Sequence, residues 1–473
     1  MTIKIVVIAL YALMIIGVGI AGLRRTKSFS DFFLGGGDVG PWMSAFTYAT
    51  AYFSAVLFIG FAGKIGWGFG YSGLWIALGN ALIGVLLVWG VLGHRIKRMS
   101  VDYGVATMAE YFEKRYDSRF LKLFAALAVF VFFIPYSAAV FMGLSYLFRA
   151  NFGIDYTMAL VVMGTFTSVY LVLGGYKSMA MIDVVFGMIM LLGVTILLGF
   201  TLKAGGGLPS ITGQLTAIDA RLTGPVGPPG AWPLFCLVFL TSVAPLGMPQ
   251  LVQKFYAIKD RRSVRIGMIA STCFAVLIGG VAYFVGSTAR LFLSPENSPA
   301  AFADGKPLFD ALMPELLARV VPESLSVVML LLILSASMST LAALVLIASS
   351  SVVKDLFAGF VNRDADDASL TRLMRIASAG FVIVSVVLAY FRPASIVAVL
   401  GISWGAIGAV FLGPFLWGLF TTWANRTGAV AGSVLGLATC LTLYALGHSS
   451  PEAGTLGMMV SLGVVPLASL LER

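Results

Sequence analysis

Charged residues are scarce in this sequence. Asp, Glu, Lys and Arg make up 11% of its 473 residues, whereas hydrophobic residues make up 59% and the mean hydropathy is +0.97. A water-soluble protein carries about 25% charged residues. The composition therefore excludes a soluble fold and indicates a protein embedded in a membrane.

Cysteine and histidine are also rare. Cys236, Cys273 and Cys440 stand singly in apolar stretches, so they provide neither a disulfide framework nor metal-ligand spacing, and we expect all three to be small buried residues. His94 and His448 lie at the ends of apolar stretches and offer no catalytic or metal-binding pair. We therefore expect no catalytic residues and no cofactor, and a membrane-embedded enzyme is a remote alternative.

Apolar runs long enough to cross a bilayer recur along the whole chain. We expect an all-α integral membrane protein with about thirteen transmembrane helices. They are expected near residues 3–23, 41–63, 70–94, 121–148, 156–175, 179–202, 232–253, 264–290, 322–353, 373–391, 394–422, 428–447 and 455–471. No stretch resembles a soluble domain, so residues 1–473 are expected to form one transmembrane domain.

The net charge of +10 is a topology signal, and no nucleic-acid partner is expected. With an external N-terminus and a cytoplasmic C-terminus, 22 of the 31 Lys and Arg residues fall on the cytoplasmic side, as the positive-inside rule requires. The other nine are Lys4, Lys64, Arg149, Lys203, Arg221, Arg290, Lys306, Arg319 and Arg392. This asymmetry predicts a multi-pass protein of the plasma membrane in that orientation.

Two expected helices, five positions apart, have polar middles. Such interruptions expose backbone groups to ions and solute in transporters built from two inverted five-helix repeats. In the second helix, at 232–253, Pro245 and Pro249 disfavour continuity because each lacks an amide proton. The first, at 41–63, has no Gly or Pro in its polar middle, so a continuous helix with hydroxyls bonded to its own carbonyls stays open there.

A hydroxyl-rich run, Ser335-Ala336-Ser337-Met338-Ser339-Thr340, interrupts the apolar span at 322–353. Small residues pack well between membrane helices, which is one explanation. The other is an ion site, because sodium is a hard cation that takes oxygen ligands.

Two further polar residues lie within expected spans. Asp183 is the one acid plainly inside a span, so we expect an ion- or proton-linked role, although pairing with Lys177 is an alternative. Asn80 either contacts a solute or forms a hydrogen bond between helices.

Short motifs in a fixed order resemble those of the sodium:solute symporters, the family of the bacterial proline and pantothenate carriers and the sodium–sugar carriers. Spread over about 320 residues, they are Phe32-Phe33-Leu34-Gly35-Gly36, Lys114-Arg115-Tyr116, Gly174-Gly175-Tyr176-Lys177, Pro249 with Lys254-Phe255, Met338-Ser339-Thr340 and Lys354-Asp355-Leu356. The resemblance implies a leucine-transporter-type fold with a leading helix (3–23), two five-helix repeats (41–202 and 232–422) and two trailing helices (428–471).

The resemblance also implies a sodium site. Carried over by position, it consists of the carbonyls of Thr50, Phe53 and Ala336 and the hydroxyls of Ser339 and Thr340. Asp183 matches an acid that the family keeps nearby. Some relatives bind a second sodium through two further hydroxyl residues, where this chain has Ala342 and Ala343, so one sodium per cycle is expected.

The implied activity is sodium-coupled import of a small organic solute by alternating access. A carboxylate-bearing solute is expected, such as proline or another amino acid, pantothenate or a short monocarboxylate. Its expected contacts are Tyr52, Ser54, Asn80, Tyr136, Thr241, Pro245 and Trp404. Proline carriers have a tryptophan and a tyrosine where this chain has Thr241 and Pro245, which leaves the solute open.

The expected partners are this solute and the lipid bilayer, with the monomer as the functional unit. The nearest alternative is a proton-coupled carrier of the same fold that uses Asp183. A channel would need a charged ring or a repeated filter sequence, and neither is visible.

Overall fold

The computed structural model describes residues 2–25 and 28–472, except for the side chains of residues 2, 23–25 and 170–174. Lys27 and Arg473, two of the cations assigned to the cytoplasmic side, lie outside these ranges. Its α-helices are α1 (Thr2–Arg25), α2 (Phe29–Leu34), α3 (Pro41–Tyr52), α4 (Ala62–Phe69), α5 (Leu74–Gly79), α6 (His94–Asp102), α7 (Met108–Tyr116), α8 (Arg119–Phe152), α9 (Tyr156–Ala204), α10 (Leu208–Ile218), α11 (Ala231–Val243), α12 (Pro249–Ala257), α13 (Arg261–Ser287), α14 (Ala289–Phe292), α15 (Phe309–Val320), α16 (Ser326–Ser350), α17 (Asp367–Phe391), α18 (Ile396–Phe420), α19 (Arg426–Ala445) and α20 (Ser450–Leu471).

Tighter and wider helical turns connect or extend several of these helices. The 3₁₀ turns are Gly35–Gly37, Gly70–Gly73, Ala220–Leu222, Ala244–Gly247, Pro299–Ala301 and Glu323–Leu325, and the π-helical segments are Val56–Phe61, Asn80–Gly93 and Ser351–Val361. Two short antiparallel strands, β1 (Phe302–Ala303) and β2 (Lys306–Pro307), form a hairpin.

The expected all-α membrane architecture is confirmed, but the count of thirteen spans is not. Within the described residues, ten helices are long and apolar enough to cross a membrane, or eleven if the bent pair Ala231–Gly247 and Pro249–Ala257 is one span. One expected span, residues 41–63, is divided after Tyr52. The expected span 156–175 lies in the first part of α9, and the side chains of its residues 170–174 lie outside the described part of the chain.

The long helix α9 changes direction at Gly175, between the expected spans 156–175 and 179–202. Gly175 has φ 66° and ψ −179°, a conformation that glycine adopts without steric cost. A Cβ atom there would lie 2.9 Å from Cδ2 of Phe32. The Gly-Gly-Tyr motif and the Phe-Phe motif are therefore parts of one tight contact.

The first interruption lies after α3. The helix ends at Tyr52, and Phe53 is extended, with φ −110° and ψ 115°. The chain becomes helical again from Ala55, whose N–H donates to Ser337 Oγ on α16 at 3.2 Å. A side chain from a distant helix thus caps the restart, and the continuous-helix alternative for 41–63 is wrong.

The second interruption lies between α11 and α12, where the two prolines predict it. The 3₁₀ turn Ala244–Gly247 is followed by an extended Met248, and the helix axis bends by 40°. Pro249 occupies the first turn of α12, where its missing N–H costs no hydrogen bond.

The two interrupted elements also meet at one end. Val39, just before α3, accepts the Lys259 N–H at 3.2 Å and donates its own N–H to the Ala257 carbonyl at 3.0 Å, just after α12. Helix α16 lies at the centre of the molecule, with every residue from 332 to 350 buried. The hydroxyl-rich run therefore faces protein on all sides, not lipid.

Two details differ from the sequence expectations. Cys236 and Cys440 are buried as expected, but Cys273 is exposed on α13. Asp355 is a second buried acid within an apolar span, because it is 2% exposed and accepts the Thr107 hydroxyl at 2.6 Å.

Candidate functional site

Hydroxyl groups of α16 meet the broken end of α3. The Ser339 hydroxyl donates to Thr50 Oγ1 at 2.8 Å. The Thr340 hydroxyl lies 3.2 Å from the Ala51 carbonyl oxygen, 3.5 Å from that of Thr50 and 3.1 Å from that of Ala336. Two helices distant in sequence thus bring several neutral oxygen atoms to one buried place.

The position of this cluster follows from the helix break. The last carbonyls of a helix have no partner further along it. Because α3 ends at Tyr52, the carbonyls of Thr50 and Ala51 are available to groups from other helices. The structure brings Thr50, Ala336, Ser339 and Thr340 together, and Phe53 lies in the extended gap that immediately follows. Oxygen atoms from broken helices and hydroxyls are suitable ligands for a small monovalent cation.

Asp183 borders this cluster. It lies on α9, is fully buried and has the Ser339 side chain beside its carboxyl group. Lys254 of α12 is the buried cation that faces it, but the two form no direct ion pair, and neither carboxyl oxygen of Asp183 has a hydrogen-bond partner among the described residues. The alternative of pairing with Lys177 is not observed either.

Lys254 is itself almost completely buried, with 1% exposure. Its Nζ atom lies 3.8 Å from Sδ of Met179, one turn before Asp183, and 4.9 Å from the ring centroid of Tyr176. The positive-inside count placed Lys254 among the cations of the cytoplasmic side. Its position shortly after Pro249, among apolar residues that continue a broken span, is the signal that could have identified it.

Sequence reasoning also missed two contacts that support the cluster. Ser337 caps the chain where helix restarts after the first break. Tyr11 of the leading helix α1 reaches α16, where its hydroxyl lies 3.1 Å from Ser335 Oγ. The leading helix is therefore packed directly against the hydroxyl-rich run.

Three of the expected solute contacts join the two breaks. The Tyr52 hydroxyl donates to the Thr241 carbonyl at 2.7 Å. With its amide nitrogen facing α11, Asn80 donates to Thr241 Oγ1 at 3.0 Å and to the Thr241 carbonyl at 3.2 Å. Asn80 thus makes the interhelical hydrogen bond that was one of its two alternatives. Contact with a solute stays a prediction.

The aromatic members of the expected solute set form a second group. Trp404 on α18 packs edge-on between Tyr52 and Tyr136, with ring centroids 6.1 and 5.8 Å away. All three rings are at most 5% exposed. They make a closed aromatic wall beside the Tyr52 to Thr241 hydrogen bond.

The two remaining members of the set lie in the breaks themselves. Ser54 follows the extended Phe53, and its Oγ accepts the Val56 N–H at 3.2 Å. Pro245 is buried in the 3₁₀ turn before Met248. The expected solute residues therefore surround the two interruptions, which is the geometry that the inverted-repeat hypothesis requires.

Comparison with known proteins agrees with this geometry. The profile of the sodium:solute symporter family matches residues 32–436. The sodium/pantothenate symporter of Haemophilus influenzae is 27% identical over 93% of this chain and 90% of its own length. The high-affinity proline transporter of Bacillus subtilis is 28% identical over 90% of this chain and 88% of its own length.

Solved structures show the same fold. A Na+-coupled sialic acid symporter, solved substrate-bound and outward-open, superposes with a TM-score of 0.83 and 19% identity over 99% of this chain and 97% of that one. The transporter MhsT in complex with L-phenylalanine superposes with a TM-score of 0.52 and 15% identity over 91% of this chain and 97% of that one. The expected leucine-transporter-type fold is thereby confirmed, and the relatives are transporters, not enzymes. On this evidence, the chain belongs to the sodium:solute symporter family and is a sodium-coupled solute symporter.

Proposed function

We propose that this symporter imports a small carboxylate-bearing solute together with one sodium ion per cycle. The observation that carries the proposal is the meeting of the Ser339 and Thr340 hydroxyls with the free carbonyl end of α3. Sodium is held there by the carbonyls of Thr50, Phe53 and Ala336 and by those two hydroxyls. A cation bound across α3 and α16 fastens an interrupted helix to the centre of the protein, which is how ion binding biases an alternating-access equilibrium.

A single sodium is proposed because the next turn of α16 lacks ligands. Ala342 and Ala343 are both buried and offer methyl groups where a second ion would need oxygen atoms. Asp183 contributes negative charge beside the site and faces the buried Lys254.

The proposed class of solute is based on two groups of relatives. The pantothenate and proline transporters that this chain resembles share a carboxylate-bearing substrate, although the substrates differ in every other respect. We place the solute among Tyr52, Ser54, Asn80, Tyr136, Thr241, Pro245 and Trp404. The aromatic wall would contact its apolar part, and the polar groups at the two breaks would bind the carboxylate.

The number of sodium ions and the charge of the solute together determine the net charge that crosses the membrane in each transport cycle. With one sodium, a zwitterionic amino acid moves one net positive charge per cycle, whereas a monoanion such as pantothenate moves none. Uptake into proteoliposomes at zero and at negative-inside membrane potential therefore separates the two solute types, because only charge movement is driven by the potential.

A proton-coupled carrier is the second candidate, favoured by the burial of Asp183 beside the cluster. Uptake measured with and without sodium at a fixed pH separates the two. Sodium-independent uptake driven by a pH gradient would overturn the sodium proposal.

The test of the ion site uses three variants of α16. Ser339→Ala and Thr340→Ala each remove a proposed ligand and are expected to raise the sodium concentration for half-maximal uptake about tenfold or more. Ser350→Ala is the matched control, since its buried hydroxyl bonds only within the helix, to the Ile347 carbonyl at 2.9 Å. An unchanged sodium requirement in the first two variants would place the ion elsewhere.

The solute is identified by thermal shift. Purified protein is screened with amino acids, pantothenate and short monocarboxylates, each in sodium and in potassium, and a true substrate raises the melting temperature more in sodium. Tyr136→Ala should then weaken solute affinity more than sodium affinity. The reverse pattern would remove Tyr136 from the pocket.

We also propose that the protein lies in the plasma membrane with its N-terminus outside and its C-terminus in the cytoplasm, and that the monomer is functional. The support is the distribution of Lys and Arg between the two sides of the predicted topology.

A further inference from the structure

A cavity of about 770 Å³ shares no lining residue with the proposed ion site. In the proposed topology it lies on the cytoplasmic side, which carries most of the Lys and Arg residues. The ends of four elements form it, namely α6, α7, the start of α13 and the end of α18. Its lining contains one histidine and five charged residues, namely His94, Arg95, Arg98, Asp102, Arg115 and Arg261.

The charge of this lining is unbalanced. Four arginines face one acid, Asp102, which pairs with Arg98 at 3.4 Å, while both side chains stay mostly exposed. The Arg261 guanidinium lies 2.8 Å from His94 Nε2. Because guanidinium groups only donate hydrogen bonds, His94 accepts and supplies no balancing negative charge. The cavity therefore holds a net positive charge that no group of its own lining neutralises.

Two of the arginines are held in place by the protein. Arg115 donates from Nε to the Gly418 carbonyl at 3.1 Å and from Nη2 to the Thr421 carbonyl at 2.7 Å. The Arg95 guanidinium carbon lies 4.6 Å from the ring centroid of Phe420. Fixed guanidinium groups lose less conformational freedom when they bind a ligand than free ones do.

From this arrangement we propose that the cavity binds a phosphate group. Arginine forks match the oxygen atoms of phosphate in a bidentate manner, and several of them around one space favour a tetrahedral anion with charge on several oxygens over a planar carboxylate. The volume also exceeds what one inorganic anion needs. The phosphate can come from an anionic lipid headgroup at the membrane surface or from a soluble phosphate compound.

A bound phosphate would bridge elements of both expected repeats. Arg95 and Arg98 lie on α6, in the range 41–202, whereas Arg261 begins α13, in the range 232–422. Because a ligand that binds only the folded protein stabilises it by mass action, occupancy raises the melting temperature. This readout is independent of the ion site and of the identity of the solute.

The experiment measures melting temperature in two formats. In neutral detergent, the full-length protein is titrated with sodium pyrophosphate. The reference is sodium chloride at the same sodium concentration, with potassium chloride added to match the ionic strength. In lipid nanodiscs, phosphatidylcholine alone is compared with phosphatidylcholine mixed with phosphatidylglycerol. A higher melting temperature in either format supports the proposal and identifies the source of the phosphate. An unchanged melting temperature in both formats overturns it.

Variants assign the effect to the cavity. Arg95→Gln and Arg98→Gln are each expected to weaken the apparent affinity for the phosphate probe about tenfold. Arg262→Gln removes an exposed arginine next to Arg261 that does not line the cavity, and it should keep the wild-type response. An equal loss in all three variants would mean general charge screening and would overturn the site. Gel filtration and the melting temperature without ligand confirm that each variant is folded.

Discussion

At the scale of single residues, the buried pair of Asp183 and Lys254 is the most consequential feature beside the proposed ion site. Two charges removed from water are stable only if each compensates the other, and removing one of them leaves the other buried without a counter-charge, which is destabilising. Asp183 lies on α9 and Lys254 on α12, so the pair links the scaffold around α16 to the second broken helix.

Asp183→Asn is therefore expected to lower both stability and sodium coupling. The loss of stability arises because Lys254 stays buried without a carboxylate. Lys254→Met in the same chain should restore much of the melting temperature, whereas sodium-dependent uptake should stay impaired because the negative charge is still missing. Thermal unfolding and uptake measurements on both single variants and on the double variant test this coupling.

The control for the lysine change is Lys259→Met. Lys259 pairs with Asp38 at 3.0 Å, but both side chains are more than half exposed, so the expected change is under about 1 kcal/mol. A double variant that is no more stable than Asp183→Asn alone would show that the two buried charges are not coupled.

Sequence reasoning predicted one half of this pair and missed the other. Asp183 stands out because an acid inside an apolar span demands an explanation. Lys254 follows the break at Met248, in a helix too short to register as a span alone, so it resembled a loop cation. The tertiary arrangement of α9 and α12 makes them face each other, and no local pattern encodes that arrangement.

At the scale of elements, the two breaks differ in how far the sequence determines them. Pro245 and Pro249 predict the break between α11 and α12, because each lacks the amide proton that a continuous helix needs. The first has no such residue, and its extended Phe53 is compensated by the Ser337 hydroxyl from α16. Family resemblance pointed to that break, but local propensity left it open because the stabilising contact comes from elsewhere in the chain.

The short helix α15 carries a pH-dependent contact outside the membrane spans. Asp310 accepts the N–H of Ile396, at the start of α18, at 3.1 Å and faces Lys64. Burial raises the pKa of Asp310 to about 6, although the Ile396 N–H and Lys64 oppose that change. The raised pKa means that the folded protein holds this proton more tightly than the unfolded chain, whose aspartates have a pKa near 3.9.

Stability should therefore fall as pH rises through about 6, and the favourable contribution should be complete only below about pH 4. Asp310→Asn keeps an acceptor for the Ile396 N–H but cannot ionise, so the melting temperature of this variant should change less between these pH values. Asp304→Asn, on the exposed β-hairpin turn, should keep the wild-type pH profile. Parallel profiles for wild type and Asp310→Asn would exclude Asp310 as the cause.

At the scale of the whole molecule, hydropathy predicts the architecture, whereas the distribution of Lys and Arg predicts the orientation in the membrane. Hydropathy correctly predicted a nearly all-helical membrane protein, because lipid admits few other structures. The expected total of thirteen spans is not confirmed, since breaks and kinks divide or merge apolar runs. The orientation in the membrane rests on the count of Lys and Arg residues and not on the exact number of helices.

The orientation can be tested with two exposed aspartates that flank a single span. Asp304 lies in the turn between β1 and β2, and Asp364 follows the segment Glu323–Val361, which is long and apolar enough to cross a membrane once. The two positions should therefore lie on opposite faces whatever the total helix count. The positive-inside count assigns Asp304 to the outside and Asp364 to the cytoplasm.

In a Cys273→Ala background, which removes the exposed native thiol, Asp304→Cys should react with a membrane-impermeant maleimide in intact cells. Asp364→Cys should react only after permeabilisation. The opposite pattern would invert the proposed topology, and it would also place the arginine cavity outside the cell, beyond the reach of cytoplasmic phosphate compounds. Reaction of both positions in intact cells would mean that the segment Glu323–Val361 does not cross the membrane, and the central place of α16 would then need another explanation.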